Sequence, residues 1–543
     1  MTTGVVRDAG DAGLLLQLGT TIDAAINERV RAIAEAFRQQ AWTGVRDVVP
    51  TYHSVAVHFD PGVADREALR GALTTLVDKA AVTESGRRIE VPVAYGDTFG
   101  PDLDAVAQFA GMSARDVIRL HSEREYRVFM LGFTPGFPYM GSVDAAIAAP
   151  RHATPRVRVE QGSVGIAGTQ TGIYPSPSPG GWQIIGRTGL ALFDPSRDQP
   201  ALFAAGDRVK FVETGGLHPP ARRSHDSPPP ASPTLSVITP GLFTTIQDSG
   251  RWGHQASGVP VAGAMDVAAL RAANTAVGNA ADAAALEITL LGPDLRVERR
   301  CTIAVSGAAL SATVDGRALA NETPTVCDAG SRVRFGARRA GGRAYLAVEG
   351  GIAAPLVLGS RSTCVRAALG GLDGRALRVG DRLATGDHRA SGNQAPGMSA
   401  HGHQDIPSLR SDATTLRVMR GPQDEWFDEE AFARLEAGLF TVRPDSDRMG
   451  FRLQGSEPIA RRSNDEMISD AAFTGAVQVP PSGHPILLMA DRPTTGGYPQ
   501  IAVVISADVP RAGQLVPGDT VRFAFCSLAE AQAAWRDAGG ARP

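Results

Sequence analysis

The sequence predicts a mainly β protein that begins with a small α+β module, and three features support this fold class. Short apolar runs are punctuated by glycine, as in GSVGIAG at 162 and WQIIG at 182. A turn followed by a strand recurs as AGDRVKF at 205, AGSRVRF at 329 and PGDTVRF at 517. Helical and strand periodicities are combined within the first 85 residues. Short strands with Gly-rich turns are typical of barrels closed to remove their edges, so we predict one α+β domain followed by three β-barrels.

The first domain, residues 1–87, has the predicted order β-α-β-β-α. Apolar residues spaced by three and four predict helices over 22–40 and 65–79, while GLLLQLG and VRDVVPTYHSVAVHFD have strand patterns. This order is that of a split βαβ, ferredoxin-like domain. His53 and His58 fall in one of these strands, and we interpret both as structural.

The three predicted barrels occupy residues 88–215, 235–383 and 413–543, with helices over 102–111, 113–123, 266–278 and 428–436. Ser113 is a candidate N-cap. Two polar segments separate the barrels: a linker over 216–234 and a connection over 384–412. The second contains three histidines whose spacing matches no standard metal site, which favours a loop; they are His388, His401 and His403.

The internal repeat extends beyond the shared turn. GSVGIAG…SPGGWQIIG at 162 reappears as GAVQVPP…TTGGYPQIAVV at 475, and we match TPRVRV before the first copy with SDRMGFRL before the second. The same barrel is therefore expected in 88–215 and 413–526, with a more diverged copy in 235–383. It follows that Gly180-Gly181-Trp182 and Gly496-Gly497-Tyr498 occupy equivalent positions.

Composition limits the class of function. A 43% hydrophobic and 20% charged chain with net charge −3 is typical of a soluble globular protein without nucleic-acid or membrane partners. No apolar run approaches the length of a membrane span or signal peptide, and four scattered cysteines indicate free thiols in the cytoplasm. Lysine occurs only at Lys79 and Lys210, which excludes a Walker-type phosphate loop and a Met-Lys-Met site for covalent biotin.

Long motifs in both halves resemble one enzyme family. FMLGFTPGFPYMG at 129 and GSVGIAGTQTGIYPSPSPGGWQIIGRT at 162 resemble the B subunit of 5-oxoprolinase, of the allophanate hydrolase subunit 1 family. PGLFTTIQDSGRWGHQASGVPVAGAMD at 240 and GAVQVPPSGHPILLMADRPTTGGYPQIAVV at 475 resemble the C subunit of 5-oxoprolinase, of the biotin-dependent carboxyltransferase (allophanate hydrolase subunit 2) family. The chain thus resembles a B–C fusion, and the resemblance implies that the three barrels are cyclophilin-like.

The sequence has no G-x-S-x-G motif or cysteine elbow, so we expect a cleft of arginines, carboxylates, aromatics and backbone N–H groups. Paired glycines in SPGGW and TTGGY can form anion-binding concavities, and arginine can bind carboxylate or phosphate. The predicted catalytic residues are Asp248, Arg251, Asp266 and Arg187. The predicted binding residues are Phe137, Tyr139, Arg156, Gly180, Gly181, Trp182, Asn274, Asn279, Glu287, Arg448, Arg452, Asp491, Gly496, Gly497 and Tyr498.

Some of these residues have structural alternatives. Asp248, Asp266 and Asp491 are candidate ligands for Mg²⁺ beside a triphosphate. Asp248 and Asp266 are equally compatible with turn capping, and Arg251 with pairing to a neighbour.

The resemblance implies that the chain is the B/C component of an ATP-dependent 5-oxoprolinase, which converts 5-oxo-L-proline to L-glutamate with a separate A subunit. ATP, with Mg²⁺, is then the expected cofactor, without covalently attached biotin; whether the chain forms a homo-oligomer is left open. One alternative is the carboxyltransferase component of a urea carboxylase or urea amidolyase system. A second is a regulatory protein that resembles a kinase inhibitor.

Overall fold

The computed structural model describes residues 4–81, 86–217, 230–386, 413–463 and 465–539. His388, His401 and His403 lie outside the described residues, as does most of the predicted linker. Within the described ranges, the helices are all too short or too polar to cross a bilayer.

The N-terminal module is a four-stranded antiparallel sheet with two helices packed on it. Its elements are β1 (Val5–Asp8), β2 (Gly13–Gln17), α1 (Ala24–Gln39), β3 (Val45–Pro50), β4 (Ser54–Phe59) and α2 (Arg66–Lys79). The sheet order is β1-β2-β4-β3, so the predicted order β-α-β-β-α is present and is preceded by one extra edge strand, β1. Asp23 caps α1 by accepting from the backbone of Ala25 and Ile26. The ferredoxin-like assignment stays a prediction.

The first barrel closes with the strand order β10-β7-β6-β13-β5-β12-β9, and β8 pairs with β11 outside it. Strands β5 and β13 run parallel, and Ser113 caps α4 as predicted. The elements are β5 (Arg88–Tyr95), α3 (Leu103–Ala110), α4 (Ala114–Ser122), β6 (Glu125–Leu131), β7 (Pro138–Gly141), a 3-10 turn (Ala145–Ile147), β8 (Arg156–Val159), β9 (Ser163–Ala167), β10 (Gln170–Ile173), β11 (Ser178–Gly180), β12 (Gln183–Arg187) and β13 (Arg208–Glu213).

The middle region contains two sheets and differs from the closed barrel expected for 235–383. One sheet has the order β20-β19-β22-β17-β14-β25-β24, and the other β15-β16-β23-β18-β21. The first strand, β14, pairs antiparallel with β25, whereas the corresponding closure of the first barrel is parallel. The elements are β14 (Leu235–Thr239), β15 (Phe243–Gln247), α5 (Val267–Ala276), β16 (Ala285–Thr289), β17 (Asp294–Val297), β18 (Cys301–Ala309), β19 (Thr313–Val314), β20 (Arg317–Ala318), β21 (Thr325–Cys327), β22 (Arg332–Arg334), β23 (Ala340–Val348), β24 (Ile352–Ala353) and β25 (Arg382–Thr385).

The last barrel closes with the order β26-β33-β30-β31-β28-β27-β34, and β29 pairs with β32 outside it. The elements are β26 (Thr414–Arg420), a 3-10 turn (Asp424–Trp426), α6 (Glu429–Ala437), β27 (Phe440–Val442), β28 (Gly450–Gln454), β29 (Asp470–Ala471), β30 (Ala476–Gln478), β31 (Ile486–Leu488), β32 (Thr495–Gly496), β33 (Gln500–Val504), α7 (Val509–Gly513), β34 (Thr520–Phe525) and α8 (Leu528–Asp537). Helices α7 and α8 were not predicted.

The two closed barrels have the same topology. Starting from β5 and from β26, their strands follow each other around the ring in equivalent order, and both first strands pair in parallel with the last strand of their barrel. The outer pair β8-β11 thus corresponds to β29-β32. One predicted correspondence is wrong: TPRVRV forms the outer strand β8, whereas SDRMGFRL leads into β28, a strand of the ring whose counterpart is β7.

The two halves of the chain pack directly against each other. Ala9, Leu15 and Val49 of the N-terminal module share an apolar cluster with Phe473 and Val503 of the last barrel. Burial of apolar area is the main favourable term in such an interface. The N-terminal module therefore joins the first half to the second.

Candidate functional site

A loop of the middle region, residues 248–258, lies where the modules meet; we call it the junction loop. Its Ser257 pairs with Leu131 of the first barrel and accepts a 2.8 Å hydrogen bond from Gly136 N. The carboxylate of Asp47, in β3, accepts from the backbone N of Gly253 at 2.9 Å and of Gln255 at 3.2 Å. The loop is therefore held by both the N-terminal module and the first barrel.

Arg492 of the last barrel reaches the junction loop and is fully buried. Its Nη2 donates to Gln255 Oε1 at 2.8 Å, while Nε and Nη1 have no hydrogen-bond partner among the described residues. Burial lowers the pKa of Arg492 to about 10, against the opposing effect of Asp47. A charged donor of this kind is costly to bury without acceptors.

His58, in β4, lies against the junction loop. Its ring is 4.6 Å from that of Phe473 and 6.5 Å from that of Trp252, and the buried Nε2 has no partner in the described part of the chain. Burial and the nearby Arg492 hold the pKa of His58 well below its usual value, so the ring is neutral at physiological pH. The sequence favours a structural role for His58. That its Nε2 is buried without a partner depends on tertiary contacts, so no sequence pattern could have indicated it.

A second buried network unites four of the predicted residues. Arg448 pairs with Glu287, binds Asp491 through Nε at 3.0 Å and Nη2 at 3.1 Å, and donates to Gly263 O at 2.6 Å. Tyr345 OH donates to Glu287 at 2.6 Å and accepts from Asp266 N at 2.8 Å.

The charges in this network stabilise one another. Burial acts to raise the pKa of Glu287, but Arg448 and Arg343, with hydrogen bonds from Tyr345 OH and Met265 N, together outweigh burial and the pKa is lowered. The pKa of Arg448 is raised because Asp491 and Glu287 outweigh its own burial. The network ties the middle region to the last barrel.

Asp248 and Arg251 both form hydrogen bonds that hold the first turn of the junction loop. Asp248 accepts from Ser360 Oγ at 2.6 Å, from Gly250 N at 2.8 Å and from Arg361 N at 2.6 Å. Arg251 is fully buried and donates to the carbonyls of Val357 and Ser362, while its Nη1 has no partner among the described atoms. Both side chains therefore shape the loop, and Arg251 keeps one donor available.

The predicted Mg²⁺ ligands do not converge. Asp266 caps α5 by accepting from Ala269 N, and it also accepts from Gln514. Asp491 binds Arg448. Asp248 accepts hydrogen bonds within the junction loop and from Ser360 and Arg361. In the described ranges, no three His, Cys, Asp or Glu side chains are placed to hold a metal ion. These carboxylates therefore do not form the expected Mg²⁺ site, and Mg²⁺ bound with a nucleotide stays a prediction.

The two glycine-rich turns are linked through Tyr139. Trp182 packs against the rings of Phe137, Tyr139 and Tyr174 at 5.5, 6.3 and 6.5 Å. Tyr139 lies near Ser469 and Thr495, which act to lower its pKa against the effect of burial. Thr495, next to Gly496, accepts a hydrogen bond from Phe133 N through Oγ1 at 3.1 Å. The sequence-predicted pair of turns thus meets across the barrel–barrel interface.

The aromatic residues of the two turns have different surroundings. Trp182 is 9% exposed, whereas Tyr498, at the equivalent position, is 41% exposed. Trp182 is thus part of an aromatic core, and Tyr498 is the ring available to solvent. Gly181 has room for a Cβ, while a Cβ on Gly180 would overlap the Tyr174 hydroxyl.

The remaining predicted residues hold turns or lie at the surface. Arg187 donates to Gln161 O at 2.7 Å, and Arg156 pairs with Asp102 at 2.5 Å. Asn279 bridges Asn274, Val348 O and Gly350 N around the end of α5. Arg452 is half exposed, 3.5 Å from Asp445. The structure does not bring these side chains to the junction.

The fold and site define a class of protein: the chain belongs to the carboxyltransferase-domain family. Residues 5–203 match the carboxyltransferase domain, subdomain C and D, and residues 257–525 match subdomain A and B. More particularly, the chain joins the equivalents of two 5-oxoprolinase subunits. It is 40% identical to the C subunit of 5-oxoprolinase from Escherichia coli over 94% of that protein and 56% of this chain. It is 42% identical to the B subunit of 5-oxoprolinase from Bacillus subtilis over 91% of that protein and 38% of this chain.

Solved structures agree with this fused arrangement. The crystal structure of TTHA0988 covers 96% of this chain and is itself covered completely, with a TM-score of 0.83 and 36% identity. The urea amidolyase of K. lactis matches 58% of this chain with a TM-score of 0.50 and 31% identity, over 20% of that protein. The chain is therefore a component of the kind found in these enzyme systems.

Proposed function

We propose that this chain is the B/C component of an ATP-dependent 5-oxoprolinase and activates 5-oxo-L-proline for a separate A subunit. The observation that carries the proposal is that both subunit-like halves are nearly complete and interlock at the junction loop. Asp47 of the first half binds the loop of the second, and Arg492 approaches it from the last barrel. Such an arrangement suits a single joint active unit.

The chemistry requires activation because a lactam is a stable amide. Transfer of the terminal phosphoryl group of ATP to the lactam oxygen releases ADP and makes the ring carbon electrophilic. A first water adds to this carbon and the ring C–N bond breaks, which leaves an acyl phosphate on the opened chain. A second water hydrolyses the acyl phosphate to glutamate and phosphate. We assign activation to this chain and hydrolysis to the A subunit. Catalysis by this route depends on placed donors at the oxygen that gains charge.

The test is reconstitution of the purified full-length chain with the A subunit of a 5-oxoprolinase. We expect ADP release and glutamate formation only when both proteins, ATP and 5-oxoproline are present. Reactions that omit each component in turn serve as controls. Equal ADP release without 5-oxoproline, or glutamate formation without this chain, would contradict the proposed role.

A second candidate is carboxyl transfer to urea from a carboxylated biotin carrier. Urea amidolyase of Saccharomyces cerevisiae is 34% identical over 54% of this chain, although the match covers 16% of that protein. The carrier and the biotin-carboxylating domain would be supplied in trans. Incorporation of labelled bicarbonate into a urea-derived product, dependent on this chain, would favour this candidate over the first.

A further inference from the structure

Several buried donors with no protein acceptor lie at the junction loop. They are Nε and Nη1 of Arg492, Nε2 of Gln255 and Nε2 of His58, and none has a partner within the described residues. Arg492 and Gln255 are in direct contact at 2.8 Å, and the His58 ring lies 6.5 Å from the ring of Trp252 in the same loop. Buried polar groups are nearly always hydrogen-bonded, so this cluster requires acceptors from outside the chain.

Three different modules supply these donors. His58 belongs to the N-terminal module, Gln255 to the junction loop and Arg492 to the last barrel. Each is at most 4% exposed, so their arrangement is set by packing. A cluster assembled from separate modules and left without internal partners has the properties of a binding site.

The charges around the cluster indicate which ligand it takes. Arg492 is cationic, and His58 is neutral at physiological pH. The Asp47 carboxylate is hydrogen-bonded by the backbone N of Gly253 and Gln255, and it forms no ion pair with Arg492 in the described part of the structure. The buried positive charge of Arg492 can therefore be neutralised by one negative charge from a ligand. Burying a dianion here would leave a charge unpaired, which is strongly unfavourable.

A cavity lies against Asp47, next to the junction loop. A cavity of about 230 Å³ is lined by Phe37, Trp42, Arg46, Asp47 and Gly253. Gly253 is exposed, and its backbone N is bonded to Asp47.

We propose that the junction binds one small carboxylate monoanion, whose oxygens accept hydrogen bonds from Arg492, Gln255 and His58. His58 donates as its Nε2–H tautomer. The inference goes beyond the proposed reaction, because it concerns binding by this chain alone, without ATP or a partner. 5-Oxoproline carries a carboxylate of this class, as do acetate and formate.

The test is isothermal titration calorimetry of the full-length chain with acetate, formate and 5-oxoproline at constant ionic strength, with inorganic phosphate at pH 8 as the dianion. We expect saturable one-to-one binding of at least one carboxylate and much weaker binding of phosphate. Arg492→Met should weaken carboxylate binding at least tenfold. Arg443→Met, which changes an exposed arginine on the same barrel, should leave it unchanged.

His58→Phe provides an independent variant, since phenylalanine keeps an aromatic ring against Phe473 and Trp252 and removes the donor. We expect it to bind carboxylate several-fold more weakly with an unchanged melting temperature, even where Arg492→Met fails to fold. No saturable carboxylate binding, equal binding of phosphate, or unchanged binding in His58→Phe would overturn the proposal. Loss of ADP release alone would contradict the proposed enzyme but not this site.

Discussion

Replacing Arg448 by methionine should destabilise the interface between the middle region and the last barrel far more than the same change at Arg452. Arg448 is 7% exposed and neutralises both Glu287 and Asp491, which are 0% and 8% exposed. Removing one partner of a buried ion pair costs about 3–5 kcal/mol, because a buried charge is left uncompensated. Arg452 is 53% exposed and 3.5 Å from Asp445, and such a surface pair contributes about 0–1 kcal/mol.

Hydrogen exchange measured by mass spectrometry is the appropriate assay, because a chain of several modules does not unfold in one step. We expect faster exchange in β16 and β28 of Arg448→Met, while Arg452→Met resembles the unmodified chain. Equal protection of these strands in the two variants would refute the electrostatic argument.

The pH dependence gives a second check of the same reasoning. In the unmodified protein the folded-state pKa of Glu287 is lowered from 4.5, so its stabilising contribution is full above 4.5 and is lost as the pH falls through the folded value. In Arg448→Met burial dominates, and the folded pKa should rise above 4.5. The penalty in the variant is then largest at neutral pH. The difference between the two proteins should therefore narrow on acidification toward pH 5, and a widening would contradict this sign.

Three further predictions concern the packing between modules. Trp182→Ala should lower the melting temperature, because loss of a buried indole costs about 3–5 kcal/mol. Tyr498→Ala, which removes a half-exposed ring, should leave the melting temperature unchanged. Loss of ADP release in Tyr498→Ala at an unchanged melting temperature would indicate that this ring contacts the substrate. Gly132→Ala should weaken barrel–barrel packing because its Cβ would overlap the Thr495 side chain, and Thr495→Ala should recover part of the loss when thermal stability is compared. Halves 1–217 and 230–543, expressed as separate chains, should copurify through their shared apolar cluster, and elution as independent species in size-exclusion chromatography would show that the interface is too weak.

The parts of the fold that the sequence predicts are those determined by local pattern. The helices near 24–39 and 66–79 and the cap Ser113 follow from periodicity and capping chemistry. The shared topology of the two barrels follows from the repeated turns. The middle region shares one turn with them but pairs its first strand differently, and pairing depends on contacts between distant residues.

The candidate site is less predictable for the same reason. Arg448 and Asp491 are separated by 43 residues and Arg448 and Glu287 by 161, yet they form one network. Arg492 directly follows Asp491, one of the predicted residues, but its side chain donates to Gln255 in the junction loop. The candidate role of Arg492 depends on its burial between three modules. The pattern of residues within one segment does not predict such burial.

The junction draws His58 and Asp47 from the first half of the chain and Gln255 and Arg492 from the second. If such halves were separate polypeptides, the site would exist only in the assembled pair, and its abundance would depend on the concentrations of both. Covalent connection replaces that encounter by an intramolecular one, with an effective concentration on the order of millimolar for a short flexible tether. Synthesis as one chain therefore sets the stoichiometry at translation, and even scarce molecules carry a complete junction.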